Sequence, residues 1–335
     1  QAGYITKVGR FTYPKFEDKG STLTLDGVVI EGRALNRSPA GQLSAPLVVV
    51  PSVGRSQDFA AVDVKGAIAI VRRGEIRFGE KARTAASAGA VGLVIVNTNS
   101  DPLYGSLDEN TNIPVLGLSG QQGESLLQNT RTDSPVAKLN VNVRQKTITG
   151  YNIIAHLPDV KQPNVLLGAH YDSVPKSPGA NDNASGTAVV LELARRLANK
   201  PVAHQAWFVA FDGEEDMLQG SKAFVNTAEP KFLSNLQAML NFDMVGVNDQ
   251  LLVGGTESLI ALAQKTNPKI SKIRDTGASD HESFSRAGVP VLFFYRGEDP
   301  NYHSPTDTVV DPKLLQATVE AAQSLVQYHL LTTNH

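Results

Sequence analysis

The chain has 335 residues, 41% of them apolar, with 31 basic against 33 acidic side chains and a formal net charge of −2. That length suits two domains, or one large domain with an insert, each with an ordinary core. The near-neutral balance supplies no basic field for nucleic acid or an anionic membrane, no apolar run reaches membrane-span length, and the lack of cysteine excludes disulfide frameworks, thiolate zinc sites and cysteine nucleophiles.

Residues 1–26 read as short mixed segments that complete no domain of their own. APLVVVPS (Ala45–Ser52) and GAIAIVRRG (Gly66–Gly74) read as strands, and Arg77–Ala90 as a helix with small residues on one face. Val91–Asn99 and Ile113–Ser119 read as two further strands. KLNVNVRQ (Lys138–Gln145) alternates with period two, as a half-buried strand does. Residues 24–146 are therefore expected to form a small β-rich module, and they contain no cluster of His with Asp or Glu.

After Thr147 the texture changes. Asn164–His170, Ala206–Gly213, Ala238–Asp243 and Val289–Tyr295 are short, nearly continuous apolar runs. Helical patterns separate them: in Thr187–Lys200, Val189, Leu193 and Leu197 recur one turn apart, and in Asp311–Leu331, Asp311 suits the N-cap and Pro312 the first helical position. Strands buried on both faces and alternating with helices predict an α/β fold with a doubly wound, mostly parallel mixed sheet over residues 147–335, joined by residues 1–23.

In such a sheet, sites form at the carboxyl ends of the strands. The first apolar run ends in AHYDS with His170 and Asp172, the second in DGEED with Glu214 and Glu215, the third in NFDM with Asp243. A Gly-rich turn, GANDNASG, carries Asp182, and the polar stretch NYHSPTDT carries His303. A lone Glu-Glu pair reads as a solvated acidic loop. Chemistry repeated at one sheet edge does not. Imidazole and carboxylate suit zinc, and His170, Asp182, Glu215, Asp243 and His303 could hold two ions if one carboxylate bridges. The short Asp182, on its Gly-rich turn, suits the bridge. His170 and Asp243 would then complete one ion, Glu215 and His303 the other. Asp172 could accept the His170 N–H and orient the ring. Glu214 is left to act as general base.

These segments, HYDS, GANDNASG, DGEEDMLQGS, NFDMVG, SDHESFSRAGVPVLFF and YHSPTDT, resemble in order the zinc aminopeptidases of the M28 (aminopeptidase Y-like) metallopeptidase family, over about residues 150–331. KGAIAIVRRGEIRFGEKARTAASAGAVGLVIVN and IPVLGLS resemble a protease-associated (PA) domain, which such relatives insert before the catalytic core. The resemblance implies two Zn2+ per chain on the five ligands, Glu214 as base, and Tyr302 as a hydroxyl that stabilises the tetrahedral oxyanion. It places Asp280 and His281 near the site without a firm role.

The activity implied is removal of an N-terminal residue, hydrophobic by preference, from peptides or proteins, with Met244, Phe293 and Phe294 lining an apolar pocket. A secreted or periplasmic location is expected, with the signal peptide absent from this chain. Competing readings are a glutaminyl cyclase using one metal; a dipeptidase or carboxypeptidase in which Arg296 would hold the substrate carboxylate; and a binding ectodomain that has lost catalysis. The PA-like module is expected to contact substrate or a partner. His156, His204, His329 and His335 read as structural, and Asp212 and Asp216 as loop-stabilising.

Overall fold

A computed structural model describes residues 2–100, 102–107, 111–129, 134–274, 277 and 279–327. The chain divides into two compact units, Gln1–Tyr13 with Ile148–His335, and Pro14–Thr147. It opens on a long strand, β1 (Ile5–Asp18), where the sequence reads as short mixed segments. The strand stands at the edge of its sheet, and all its residues except Tyr13 are exposed or half-buried, so no apolar alternation announces it.

Seven strands then close a barrel: β2 (Ser21–Leu25), β3 (Val28–Ala34), β4 (Gly41–Val49), β5 (Ile68–Arg72), β6 (Gly92–Val96), β7 (Val115–Leu118) and β8 (Val136–Val141), in the order β2-β3-β7-β6-β5-β4-β8. Side chains alternate across each strand. In β6, Val94 and Val96 enter the barrel core with Leu23, Ile68, Ile70 and Leu139. Leu93 and Ile95 enter a second core with Phe59, Val71, Ala82 and Ala85. Two cores explain why the run is apolar throughout. The helix Phe78–Ser87 supplies Ala82 and Ala85 and matches the small-residue face seen in the sequence.

The strand expected over Lys138–Gln145 is two strands, with Asn142 between β8 and β9 (Val143–His156). The Asn142 N–H donates to Ser21 Oγ at 3.0 Å, and its carbonyl accepts from the Lys19 N–H at 2.8 Å. Both backbone groups are thus spent locally.

The remaining strands are β10 (Val165–His170), β11 (Ala206–Phe211), β12 (Ala238–Phe242), β13 (Leu252–Gly255), β14 (Ser271–Lys272) and β15 (Val291–Tyr295). With β1 and β9 they form an eight-stranded sheet, β1-β9-β11-β10-β12-β15-β13-β14. The central four, β11, β10, β12 and β15, are parallel, while β9 runs antiparallel to β11 and β13 antiparallel to β15. Helices cover both faces. Val189, Leu193 and Leu197 of helix Gly186–Leu197 and Val319 and Ala322 of helix Pro312–Leu325 pack on Leu167, Phe208 and Leu240. Phe224 of helix Gln219–Thr227 and Phe284 of helix His281–Arg286 pack on Val209, Phe211 and Met239. This is the doubly wound, mostly parallel sheet that the apolar runs predict. Asp311 caps the Pro312 helix, its carboxylate accepting from the Lys313 N–H at 2.8 Å. The last turn expected for that helix, residues 328–331, lies outside the described residues.

Candidate metal centre

Because β10, β11 and β12 are parallel, the residues that follow them collect at one sheet edge. His170 ends β10, the Asp212–Asp216 loop follows β11, and Asp243 follows β12. Two triads result. His170, Glu214 and Asp243 form one, and Asp182, Glu215 and His303 the other, the ligand atoms of each lying within 4.8 Å of one another.

Asp182 joins them. Its Oδ1 lies 3.3 Å from His170 Nε2 and its Oδ2 lies 3.2 Å from His303 Nε2. Asp243 Oδ1 is 3.4 Å from His170 Nε2, and Glu215 Oε2 is 3.0 Å from His303 Nε2. Glu214 stands further off, its Oε2 4.0 Å from His170 Nε2. The neighbouring glutamates therefore diverge, one to each triad.

Asp172 makes that divergence possible. Its two carboxylate oxygens accept the backbone N–H groups of Glu214 at 3.1 Å and Glu215 at 3.2 Å. His170 Nδ1 also contacts this residue, 3.1 Å from its carbonyl and 3.5 Å from its carboxylate. Asp212 and Asp216 brace the same loop: Asp212 accepts from the Tyr151 N–H at 2.8 Å, and Asp216 accepts from the Tyr13 hydroxyl at 2.7 Å.

The Gly-rich turn is held from elsewhere in the chain. Asp307, 1% exposed, accepts the Asn181 N–H at 2.8 Å and the Asp182 N–H at 3.1 Å. Asp299 accepts from Asn181 Nδ2 at 3.2 Å. Asn183 donates to the Phe242 carbonyl at 2.9 Å and accepts the Gly186 N–H at 2.8 Å. Gly186 itself is forced, since a Cβ there would lie 2.1 Å from the Phe242 carbonyl oxygen. Asp299 and Asp307 are the functional residues that sequence reasoning missed. Their one signal is position, since Asp299 shortly precedes the stretch NYHSPTDT that carries His303 and Asp307 lies within it.

Four buried carboxylates face two imidazoles, an imbalance that divalent cations would correct. Burial pushes Glu214 well above the usual carboxylate range, with Asp243 and Asp280 adding to it against His170. Burial also raises Glu215. Burial works against the charge on Asp182, yet the two imidazoles hold it down at about 2. Burial would lower both histidines, but carboxylates outweigh it: Asp243 and Glu214 hold His170 well above its ordinary value, and Asp182 and Glu215 hold His303 up at about 9. The buried Oε1 of Glu215, Oδ1 of Asp243 and Nε2 of His170 make no hydrogen bond, which suits them as donors to a metal. The residues fit zinc, which accepts this N/O donor set.

Around the centre, Tyr302 is half-exposed and its ring stacks beside His303, centroids 3.7 Å apart. Burial, then the Asp182 and Glu215 carboxylates, push its phenol up, so it remains a donor. His281 stacks on Phe293 at 4.5 Å. Met244 and Phe293 are nearly buried beside these groups in sequence and strand order. Phe294 departs from expectation: it is fully buried, stacked on Phe242 at 4.8 Å within the sheet–helix core, and has no surface to offer a substrate. Adjacent strand residues point to opposite faces, so Phe293 and Phe294 could not both line one pocket. Arg296 is likewise spent, donating to Thr318 Oγ1 and to the carbonyls of Asn248, Asp249 and Leu314. His156 is buried against Trp207, and His204 pairs with Asp159 at the surface. His329 and His335 lie outside the described residues.

A parallel sheet with two linked His–carboxylate triads at its carboxyl edge defines a metallopeptidase scaffold. The chain belongs to peptidase family M28, whose model matches residues 152–326, and a PA-domain model matches residues 43–126. It is a hydrolase, and it stands among the family's zinc aminopeptidases. Aminopeptidase YwaD of Bacillus subtilis is 34% identical over 330 residues, covering 90% of this chain and 70% of the relative. The probable lipoprotein aminopeptidase LpqL of Mycobacterium tuberculosis is 30% identical, covering 92% and 72%. Among solved structures, an aminopeptidase from Aneurinibacillus sp. strain AM-1 superposes with a TM-score of 0.83 at 31% identity, covering 97% of this chain and 84% of that one. The zinc aminopeptidase BSAP of B. subtilis gives 0.80 at 32%, with the same coverage.

Proposed function

We propose that this protein removes N-terminal residues from peptides, with hydrophobic residues preferred, and that it does so with two zinc ions held by His170, Asp182, Glu215, Asp243 and His303. The observation that carries this reading is Asp182, whose two oxygens face the two histidines at 3.3 and 3.2 Å. When bound, zinc ions polarise the scissile carbonyl and acidify water. Glu214 takes the proton of the attacking water and passes it to the leaving amine. Its buried carboxyl, raised above the usual range, is matched to a proton that must go both ways. Asp172 fixes the backbone of both glutamates and orients His170. The Tyr302 hydroxyl donates to the developing oxyanion. The carboxylate cluster attracts the substrate ammonium, and Met244 and Phe293 border the apolar side-chain pocket.

With Arg296 spent on the protein's own carbonyls, a carboxypeptidase reading has lost the cation it needed. A cyclase would work with one ion, where this site offers two linked triads. The PA domain, about residues 24–146, acts as a substrate-access or partner surface, and the enzyme works outside the cytoplasm, a reading supported by the relative named as a probable lipoprotein aminopeptidase. Among the described residues no helix is long and apolar enough to cross a membrane. Free and N-acetylated aminoacyl anilides, assayed with and without chelator, test the activity. Turnover is expected only from free amines and only without chelator. Hydrolysis of the acetylated series would refute it.

A further inference from the structure

Away from the metal-ligand candidates, a cavity of about 720 Å³ opens between residues of β1, β9 and β11 and the helices Gln219–Thr227 and Pro230–Ser234. That volume lies in the range of small-molecule sites. Its wall is aromatic and aliphatic: Phe11, Ile154, Trp207, Phe224 and Phe232. Trp207 has no polar handle left for a ligand, because its Nε1–H donates to the Val160 carbonyl at 2.9 Å. Its ring stacks on His156 at 4.6 Å and meets the tilted ring of Phe232 at 5.0 Å. Asn152, at the floor, has its amide committed to the Gly220 carbonyl at 2.8 Å and the Asp212 N–H at 3.1 Å. The interior therefore favours an apolar body, with Gln162, Thr227 and Asn235 as the remaining uncharged polar side chains of the lining.

The rim is different. Arg10, Lys161 and Lys231 line it, all exposed, against one carboxylate, Glu229. None of these three cations pairs with a carboxylate among the described residues, and the Lys7 ammonium adds a further positive charge 5.8 Å from the Trp207 ring centre. An apolar wall under a basic rim calls for an occupant with an apolar body and an anionic head. We propose that this cavity binds an amphipathic carboxylate, its alkyl or aromatic body against Trp207 and Phe232 and its head among Arg10, Lys161 and Lys231. The site is separate from the catalytic one, since no candidate ligand or base lines it.

Trp207 is the chain's single tryptophan, so its fluorescence reports on this cavity alone. The zinc-loaded enzyme is titrated with decanoate below its micellar range, in parallel with decan-1-ol. Saturable change with decanoate is expected, with decan-1-ol about fivefold weaker or more, as the loss of exposed charge contacts implies. The double variant Lys161→Gln/Lys231→Gln should weaken decanoate about fivefold while leaving decan-1-ol and the hydrolysis of leucine anilide unchanged. Equal binding of acid and alcohol, or no effect of the double variant on decanoate, would reduce the cavity to an apolar groove and overturn the proposal. So would the absence of saturation. Shielding of Trp207 from acrylamide in the ligand-free enzyme would overturn it as well, showing that polypeptide already fills the space.

Discussion

Asp307 lies 125 residues from Asp182 yet holds the peptide that presents it. In Asp307→Ala, the Asn181 and Asp182 N–H groups, now accepted at 2.8 and 3.1 Å by a buried carboxylate, would lose their acceptor. An orphaned buried N–H costs about 1–3 kcal/mol, so the turn should lose about 2–6 kcal/mol of support. The cost falls on the one residue that must face both histidines. Loss of an outer partner typically weakens metal binding about 10–100-fold, and a bridge that serves both triads should sit at the upper end. The measurements are zinc competition against a chromophoric chelator, kcat on leucine anilide, and urea midpoints. Asp307→Asn should fall between wild type and alanine, because it keeps one acceptor oxygen but turns an amide donor toward the second N–H. A variant of lowered stability that still bound zinc with wild-type affinity would show that Asp182 is positioned by something other than Asp307.

Glu214→Gln should keep both ions and substrate affinity while kcat falls by about 10²–10⁴-fold, the range for a lost general base. Glu215→Gln should instead lose zinc and recover part of its activity in excess zinc; if both variants lost metal alike, the division between the two glutamates would be wrong. Lys81 supplies a pH test in the PA domain. It is fully buried, its ammonium donating to the Val53 and Arg72 carbonyls, and burial lowers it from its usual 10.5 to about 8. Below pH 8 the native state carries the whole cost of the buried charge, roughly 3 kcal/mol; from 8 to 10.5 the native state sheds its proton first and that cost fades. The stability of wild type relative to Lys81→Met, from urea midpoints, should therefore rise with pH across that window, and a flat difference would refute the assignment.

The sequence by itself determined the class of fold and the chemistry of its edge. Strands covered on both faces must be apolar throughout, so the runs ending at His170, Phe211 and Phe242 announced a parallel sheet. Parallel strands end at a common edge, so the polar residue following each run could be placed there before any geometry was known. The helices Gly186–Leu197 and Pro312–Leu325 carried their own periodicity, and the second its cap. What runs show poorly is facing. In a doubly covered strand both parities are apolar, and only packing decided that Phe294 belongs to the core. A strand with only one buried residue lacks the signal, which is why β1 reads as fragments in the sequence. The supports of the site were silent for another reason. Asp299 and Asp307 meet the Gly-rich turn across more than a hundred residues, and Arg296 meets four carbonyls and hydroxyls from distant segments. Such partners are ordinary charged residues in sequence, because their role consists of the backbone groups that tertiary folding brings to them.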